Sequence, residues 1–199
     1  MAKQAGTAED RRPSLSGHGG LQVSELRDSL LVARAADGDL RAFEVLVRRY
    51  QLRIFRLCVG MLGNRNDAED AVQETFFTAW RAIGRFRGEA KFSTWLYRIA
   101  ANRCLKHLAR QPTPIGHPTE RAGNLGNPEA EFEARERLHV IAKAVDRLTP
   151  AQRAPLLLRE VEGLTYAEVA QILGVTVPAV KSRLNRARVE LARALDESL

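Results

Sequence analysis

The sequence predicts an all-α protein in which two small helical domains are joined by a flexible linker. Apolar residues recur at helical spacing from Ser24 onward, and no alternating β-branched pattern appears in the 199 residues. Residues 111–128 hold four of the eight prolines and three glycines, a composition that does not form a packed element. We therefore expect a disordered tail over residues 1–23, helical domains over 24–110 and 131–199, and a linker over 111–130.

Four helices are predicted in the first domain. A short helix from Ser24 ends at the turn formed by residues 37–39, and a long second helix continues to a cluster of turn-forming residues at 63–67. The third helix has acidic residues in its first turn, which complement its dipole, and it ends at Gly84. A loop to Lys91 separates it from a fourth helix.

The second domain has well-marked helix starts. Helical spacing resumes after Pro128, which suits the first turn of a helix. Residues 149–152 and 165–168 both fit the capping box, in which a hydroxyl and a Glu or Gln satisfy backbone donors reciprocally. Pro155 conflicts with a helix that begins at the first capping box. Its ring would clash with the backbone carbonyl of Ala151, and proline has no backbone N–H to donate. Either that helix kinks, or it starts near Ala154.

Residues 165–191 predict a helix-turn-helix rather than a plain helical hairpin. A short helix runs into Gly174, which supplies a left-handed turn residue, and a second helix follows. Ala170 is small where the two helices cross closely, and Val180 fills the angle between them.

The second helix of this motif carries a basic face. Residues 169–189 contain Lys181 and three arginines and no acid, so the helix could enter a major groove and contact phosphates and base edges. A solvated charged surface is the alternative, although the Glu partners of a salt-bridged surface are missing. Thr176 as cap and Pro178 in the first turn leave backbone donors that suit a phosphate.

Aromatic residues, which make up only 6% of the chain, gather between Phe86 and Tyr97 among basic residues. Aromatic rings interleaved with cations are typical of single-strand binders, in which bases stack on the rings. The alternative is that Phe92 and Trp95 are core residues of a helical domain.

The charge balance points to a polyanionic partner. The formal net charge is +7, and residues 31–110 hold 15 basic against 8 acidic residues. Composition alone leaves nucleic acid and an anionic membrane both open. No apolar stretch approaches the roughly 18 residues of a spanning helix, and the first 23 residues lack the apolar segment of a signal peptide. We expect a cytoplasmic protein without membrane insertion.

Motifs for chemistry are sparse. Cys58 and Cys104 are too few for a disulfide scaffold, and Cys58 on an apolar face is most simply a small buried residue. Cys104 and His107 share a helix face, but zinc needs further ligands. The sequence has no supported Ser-His-Asp set, phosphate loop or dinucleotide fingerprint, so we expect no enzyme activity, no cofactor and no metal.

An acidic run opens the third helix, with Asp67, Glu69, Asp70 and Glu74. It could complement the helix dipole, bind a divalent cation or form a docking surface. Asp70 and Glu74 share one face whereas Asp67 belongs to the cap, so convergent metal ligands are not indicated.

Four ordered segments resemble the bacterial sigma-70 family, and within it the extracytoplasmic-function (ECF) type with two domains. The first conserved region is resembled by Leu31 to Asp39 with Phe43 and Tyr50, and the polymerase-binding segment by Asp67 to Phe76. The promoter-melting helix is resembled by Phe92 to Asn102. The helix that recognises the upstream promoter element is resembled by Val177 to Arg188. Pro155 and the residues before Ser24 depart from the family pattern.

The resemblance implies a role for each group of residues. The expected contacts with core RNA polymerase, on the clamp of its largest subunit, are Asp70, Gln73 and Glu74. The expected residues for the downstream (minus-ten) element and melting are Phe86, Lys91, Trp95, Arg98 and Asn102. Those for the upstream (minus-thirty-five) element are Thr176, Pro178, Lys181, Ser182, Arg183, Asn185 and Arg186.

The sequence thus predicts a sigma factor that binds core polymerase, promoter duplex and the non-template single strand, and that is monomeric when free. The resemblance also implies an anti-sigma factor as inhibitor. An autonomous helix-turn-helix regulator, which would use only residues 149–199, and a basic interaction protein without sequence-specific DNA binding are the alternatives.

Overall fold

A computed structural model describes residues 18–110 and 140–197, with side chains from Arg27 onward in the first range. The described residues are helical and contain no strand, which confirms the all-α fold class. The expected linker over 111–130 and the helix start after Pro128 lie outside the described residues. We call residues 18–110 the N-terminal block and residues 140–197 the C-terminal block.

The first two helices are α1 (His18–Ala36) and α2 (Leu40–Leu62). The side chain of Asp39 caps α2 by accepting a hydrogen bond from the amide of Ala42 at 3.1 Å. The prediction that α1 starts at Ser24 is wrong, because it starts at His18. Residues 18–23, assigned above to the tail, extend α1 although two of them are glycines, which are poor helix formers.

The rest of the N-terminal block comprises α3 (Arg65–Ala82), a 3₁₀ turn (Ile83–Arg85) and α4 (Phe92–Leu108). Asn64 caps α3 through a 3.1 Å bond from the amide of Asp67. Asp67 therefore lies in the first turn, where acidic residues are predicted to complement the helix dipole. The separate assignment of Asp67 to the cap is wrong, because Asn64 is the cap.

The C-terminal block comprises α5 (residues 140–146), α6 (Pro150–Leu156), a π-helical turn (Leu157–Val161), α7 (Tyr166–Leu173) and α8 (Val177–Asp196). The α6 helix begins at Pro150 and contains Pro155, so the alternative start near Ala154 is wrong. The π turn begins two residues after Pro155, and in it the amide of Glu162 donates a 3.1 Å bond to the carbonyl of Leu157.

The two blocks pack against each other and share one continuous apolar core. In this core α4 lies against α7, and α2 lies against α6 and the π turn. Gly60 of α2 meets Leu157 so closely that an added Cβ would stand 2.8 Å from a Leu157 methyl carbon. The sequence predicts two separately folded domains, and it gives no sign of this direct contact.

Candidate nucleic-acid interface

The helix-turn-helix of the C-terminal block is built by local capping. The hydroxyl of Thr165 caps α7 in a capping box with Glu168, and Gly174 ends the helix in the left-handed conformation, with φ of 64°. The hydroxyl of Thr176 then caps α8. Val180 is fully buried between the helices, as predicted from its position. Burying such a side chain contributes about 1.5 to 3 kcal/mol to the stability of the fold, and this burial stabilises the packing of α7 against α8.

The recognition helix α8 leaves most of its predicted DNA-binding residues accessible. Arg183 is half-buried, and the exposed ones are Thr176, Pro178, Lys181, Ser182, Asn185 and Arg186. The guanidinium of Arg186 donates a 3.0 Å bond to the Ser182 hydroxyl one turn earlier. The Lys181 ammonium stands 5.7 Å from the ring centre of Tyr166, a cation–π contact. The exposed face is therefore basic, and neighbouring side chains restrain the positions of Arg186 and Lys181.

One basic residue of this helix has an acidic partner that its sequence neighbours do not reveal. The guanidinium of Arg188 bonds the carboxylate of Glu160 at 2.6 Å. The expectation that the basic run lacks Glu partners is therefore wrong for Arg188, since the partner comes from the π turn.

A pocket of about 280 Å³ lies between the loop after α3 and the first turns of α4. Its lining includes Phe86, Trp95 and Arg98, three of the five residues predicted for the downstream element. The rings of Phe86 and Trp95 are 5.1 Å apart between centroids, and both are partly exposed. Aromatic faces and a guanidinium around one opening suit a stacked nucleobase and its phosphate.

The remaining aromatic and predicted residues divide between core and surface. Phe92 is 5% exposed and Tyr97 is fully buried, so these two are core residues, as the alternative held for Phe92. Asn102 is exposed one turn beyond Arg98 and does not line the pocket. Lys91 is exposed just before α4 and stands 3.6 Å from the carboxylate of Glu168, which belongs to the C-terminal block.

The acidic face of α3 is the third candidate surface. Asp70 and Gln73 are exposed, whereas Glu74 is paired with Arg103 of α4. Phe77, one turn further along the same stripe, is 62% exposed, with the guanidinium of Arg81 5.7 Å from its ring centre. Sequence reasoning missed Phe77, although its spacing of three from Glu74 and four from Gln73 places it on this face.

Two family models match the chain, "Sigma-70 region 2" over residues 46–112 and "Sigma-70, region 4" over residues 138–191. Together they cover more than half of the 199 residues. The chain belongs to the sigma-70 family. This family is not a class of enzymes; its members direct promoter-specific transcription initiation, and so does this sigma factor.

Curated relatives place the sigma factor in the ECF group. The RNA polymerase sigma-H factor of Pseudomonas aeruginosa is 35% identical over 189 residues, which span 89% of this chain and 98% of that protein. The ECF RNA polymerase sigma-E factor of Haemophilus influenzae is 38% identical and spans 83% and 94% of the two chains. That of Escherichia coli K12 is 36% identical over 82% and 92%.

Solved structures share the fold. CnrH in complex with the cytosolic domain of CnrY matches with a TM-score of 0.69 and 29% identity, over 87% of this chain and 99% of that one. RpoE of Bartonella quintana, in complex with the anti-sigma factor NepR, matches with a TM-score of 0.62 and 23% identity, over 79% and 98%, which supports the fold.

Within the described part of the sigma factor, no three His, Cys, Asp or Glu residues are grouped so that they could hold a metal ion. His107 stands 3.7 Å from Asp67, and Cys104 is buried next to Cys58. The neighbouring thiol and burial both raise the pKa of the Cys104 thiol, so it stays protonated. None of the helices described is both long and apolar enough to span a bilayer.

Proposed function

We propose that this sigma factor opens promoters by capturing non-template bases in the pocket beside Trp95, while α8 binds the upstream element and α3 binds core polymerase. The observation that carries the proposal is the pocket, in which Phe86, Trp95 and Arg98 converge. An autonomous helix-turn-helix regulator needs duplex recognition only and has no use for stacking surfaces in its other domain. Asn102 and Lys91, outside this pocket, are proposed to contact the flanking strand.

The proposed role of α8 rests on its exposed basic face and on its length. Its 20 residues extend well beyond the turn, so the first half can lie in a major groove while the second half packs on the block. Lys181 and Arg186 are the long cations of that first half. The capped helix start at Thr176 offers backbone donors to a phosphate.

The proposed polymerase contact uses Asp70, Gln73 and Glu74. These residues lie in a block whose overall charge is positive, so the local acidic face marks a partner of opposite charge. By resemblance that partner is a basic coiled coil on the clamp of the largest subunit. We assign the polymerase-binding and downstream roles to residues 24–110 and the upstream role to residues 131–199.

Regulation by an anti-sigma factor is part of the proposal. CnrH and the Bartonella RpoE were solved in complexes, with the cytosolic domain of CnrY and the anti-sigma factor NepR respectively. A polymerase-binding face and two DNA-binding faces on one small chain could be covered together by one inhibitor. We expect the free sigma factor to be a monomer, and inhibitor and polymerase to exclude each other in competition pull-downs.

The deciding experiment combines a pull-down on core polymerase with run-off transcription by the Phe86→Ala variant. We expect Phe86→Ala to bind polymerase normally, to lose transcription from duplex templates and to recover it on a template with a premelted bubble. The matched control is Leu52→Ala, which removes an exposed apolar side chain of α2 (56% exposed) outside these surfaces. Tight duplex binding without polymerase, with transcription unchanged in Phe86→Ala, would instead favour the autonomous regulator.

A further inference from the structure

The pocket beside Trp95 has a lining residue that promoter capture does not explain. Gln171 belongs to α7 of the C-terminal block, the block proposed to bind the upstream element, yet it lines this pocket together with Phe86 and Trp95. Its side chain is exposed. A non-template base captured by rings and guanidinium groups has no need of an amide from the helix-turn-helix. The position of Gln171 therefore points to a ligand of the free chain, in which the two blocks share one core.

The charge around the pocket is also larger than one captured base requires. The lining holds three guanidinium groups and one carboxylate, from Arg85, Arg87, Arg98 and Glu89. Arg87 and Glu89 approach to 4.0 Å and are both largely exposed, so this pair neutralises little. Each nucleotide of a strand brings one phosphate charge, whereas a free nucleotide with several phosphates concentrates its charge at one place. Guanidinium groups, which bind phosphate oxygens through paired hydrogen bonds, match this second kind of ligand.

The size and the aromatic side of the pocket limit what can enter. Its volume of about 280 Å³ lies near the lower end of small-ligand sites, about 300 Å³, so it holds a nucleobase rather than a whole nucleotide. The ring centroids of Phe86 and Trp95 are 5.1 Å apart, an ordinary distance for two rings in contact. The base therefore stacks on the rings from the open side and not between them. The sugar and the phosphates then extend toward the exposed guanidinium groups.

Gln171 supplies a group that distinguishes one base from another. A side-chain amide offers a donor and an acceptor side by side. Adenine presents the complementary pair at N6 and N7, and glutamine bonds it through both atoms. Adenine also offers a larger ring for stacking than a pyrimidine does. Rings, amide and guanidinium groups together fit an adenine base that carries a phosphate chain.

We propose that this pocket, in the chain free of polymerase, binds an adenine nucleotide with two or more phosphates. The base lies on Phe86 and Trp95, its edge bonds Gln171, and the phosphates bind the arginines. The consequence for strands rests on the proposed function, because a bound nucleotide and a captured non-template base use the same rings. Occupancy by one excludes the other, so the concentration of free adenine nucleotide sets how much of the free chain can bind a strand.

The test uses Trp95 of the full chain as the reporter. The protein has two tryptophans, and Trp80→Phe removes the other, whose ring packs on Phe43 at 5.0 Å between centroids. We expect ATP to quench the remaining emission saturably, because the stacked base contacts the indole. Adenosine, which lacks the phosphates, should bind about tenfold more weakly or worse, since hydrogen bonds between charged groups are lost. CTP should bind about fivefold more weakly or worse, since the amide favours adenine.

Two variants and their controls assign the contacts. Gln171→Ala should weaken ATP binding by about fivefold or more and remove most of the preference over CTP. Arg98→Ala should weaken the binding of ATP and of CTP alike, by about tenfold. Gln51→Ala and Arg56→Ala are the matched controls, because both residues are exposed on α2 and lie outside the pocket lining. Neither control should change the affinity for ATP, and circular dichroism checks that every variant keeps its helicity.

Competition connects the nucleotide to the strand. A fluorescent single-stranded DNA of randomised sequence reports strand binding by anisotropy. We expect ATP to displace this DNA from the wild-type chain, and to displace it less effectively from Gln171→Ala. Inorganic triphosphate, measured by its displacement of ATP, should bind about tenfold more weakly than ATP or worse, because it lacks a base to stack.

Four outcomes would overturn the inference. They are no saturable quenching by ATP, equal affinities for ATP and CTP, equal affinities for ATP and inorganic triphosphate, and ATP binding that leaves the bound DNA in place. Failure of the proposed function looks different, since Phe86→Ala would then transcribe like the wild type from duplex templates. The quenching of Trp95 by ATP does not depend on strand capture, so the two failures are distinguishable.

Discussion

Arg186 and Lys181 show how single residues of the recognition helix are kept ready for DNA. Each is exposed, and each is steadied by a neighbour in its own block, Ser182 for Arg186 and Tyr166 for Lys181. Neither has an ion pair of the kind that Arg188 forms with the carboxylate of Glu160. Steadied donors lose less conformational entropy on binding, so they favour recognition of a defined base or phosphate.

We expect Arg186→Ala to weaken use of the upstream element by about 1 to 3 kcal/mol where the guanidinium contacts a base edge, and by less where it contacts phosphate. Transcription from a panel of upstream variants at several salt concentrations separates the two cases. A lost base contact relaxes the preference at one position. A lost phosphate contact weakens all sequences alike and lowers the salt dependence.

The control for this prediction is Arg193→Ala, on the same helix but outside the predicted contacts. Arg193 is exposed and pairs with Glu197 one turn later. Its substitution should leave the sequence preference unchanged. Equal transcription from every upstream variant in both Arg186→Ala and Lys181→Ala would exclude α8 as the recognition helix.

At the scale of an element, α3 combines two faces with different tasks. Its inner face contributes Ala68, Phe76 and Ala79 to the core, which anchors the helix. Its outer face carries Asp70 and Gln73, which are both exposed. A charge change on the outer face therefore alters binding with little effect on folding.

We expect the charge reversal Asp70→Lys, alone or with Glu74→Lys, to impair association with core polymerase while helicity is retained. Co-purification and competition against the wild type measure the loss. Glu74→Lys also breaks the pair with Arg103, an exposed pair worth at most about 1 kcal/mol, so Asp70→Lys is the cleaner variant. Glu44→Lys, at an exposed glutamate of α2, is the control. Full co-purification of the double variant would refute the docking assignment.

The turn between α7 and α8 is a second element whose geometry is fixed locally. Gly174 has φ of 64°, and no surrounding atom lies within 4 Å of a Cβ added there. The site therefore has room for a side chain, and only the backbone conformation restricts the residue type. We expect Gly174→Ala to destabilise the chain by about 1 to 2 kcal/mol in urea unfolding, because an L residue resists this conformation. Gly174→Asn should be milder, since asparagine tolerates it. Equal stability of all three chains would contradict this account of the turn.

At the scale of the whole molecule, local signals predicted most of the fold. Both capping boxes, the turn at Gly174 and the buried Val180 follow from short-range chemistry, and the structure has them as expected. The start of α1 at His18 was missed because the glycines at its beginning have low helix propensity. Pro155 lies inside α6, and a π turn begins two residues after it, which no sequence pattern of this length predicts.

The candidate sites were predictable to a different extent. Residue types and family resemblance located the pocket residues Phe86, Trp95 and Arg98, which the structure brings together. The bonds from Arg53 and Tyr97 to Glu162 and the position of Gln171 in the pocket lining were not predictable. They depend on how two blocks that are distant in sequence pack against each other. A glutamate after a helix and a glutamine on an exposed face look like ordinary surface residues until that packing is known.

The central claim is that one small chain supplies two DNA-recognition surfaces that act together on polymerase. We expect weak duplex binding by the free chain, because one short helix makes few phosphate contacts and the affinity comes from linking several modules.

The most direct test is transcription by core polymerase with this sigma factor on a pool of templates with randomised upstream sequence, followed by sequencing of the transcribed templates. The account predicts enrichment of two separate sequence blocks at a fixed spacing, only in the presence of the sigma factor. Arg186→Ala should relax the upstream block alone, and Trp95→Ala the downstream block alone. Enrichment of a single block, or the same start sites without the sigma factor, would contradict it.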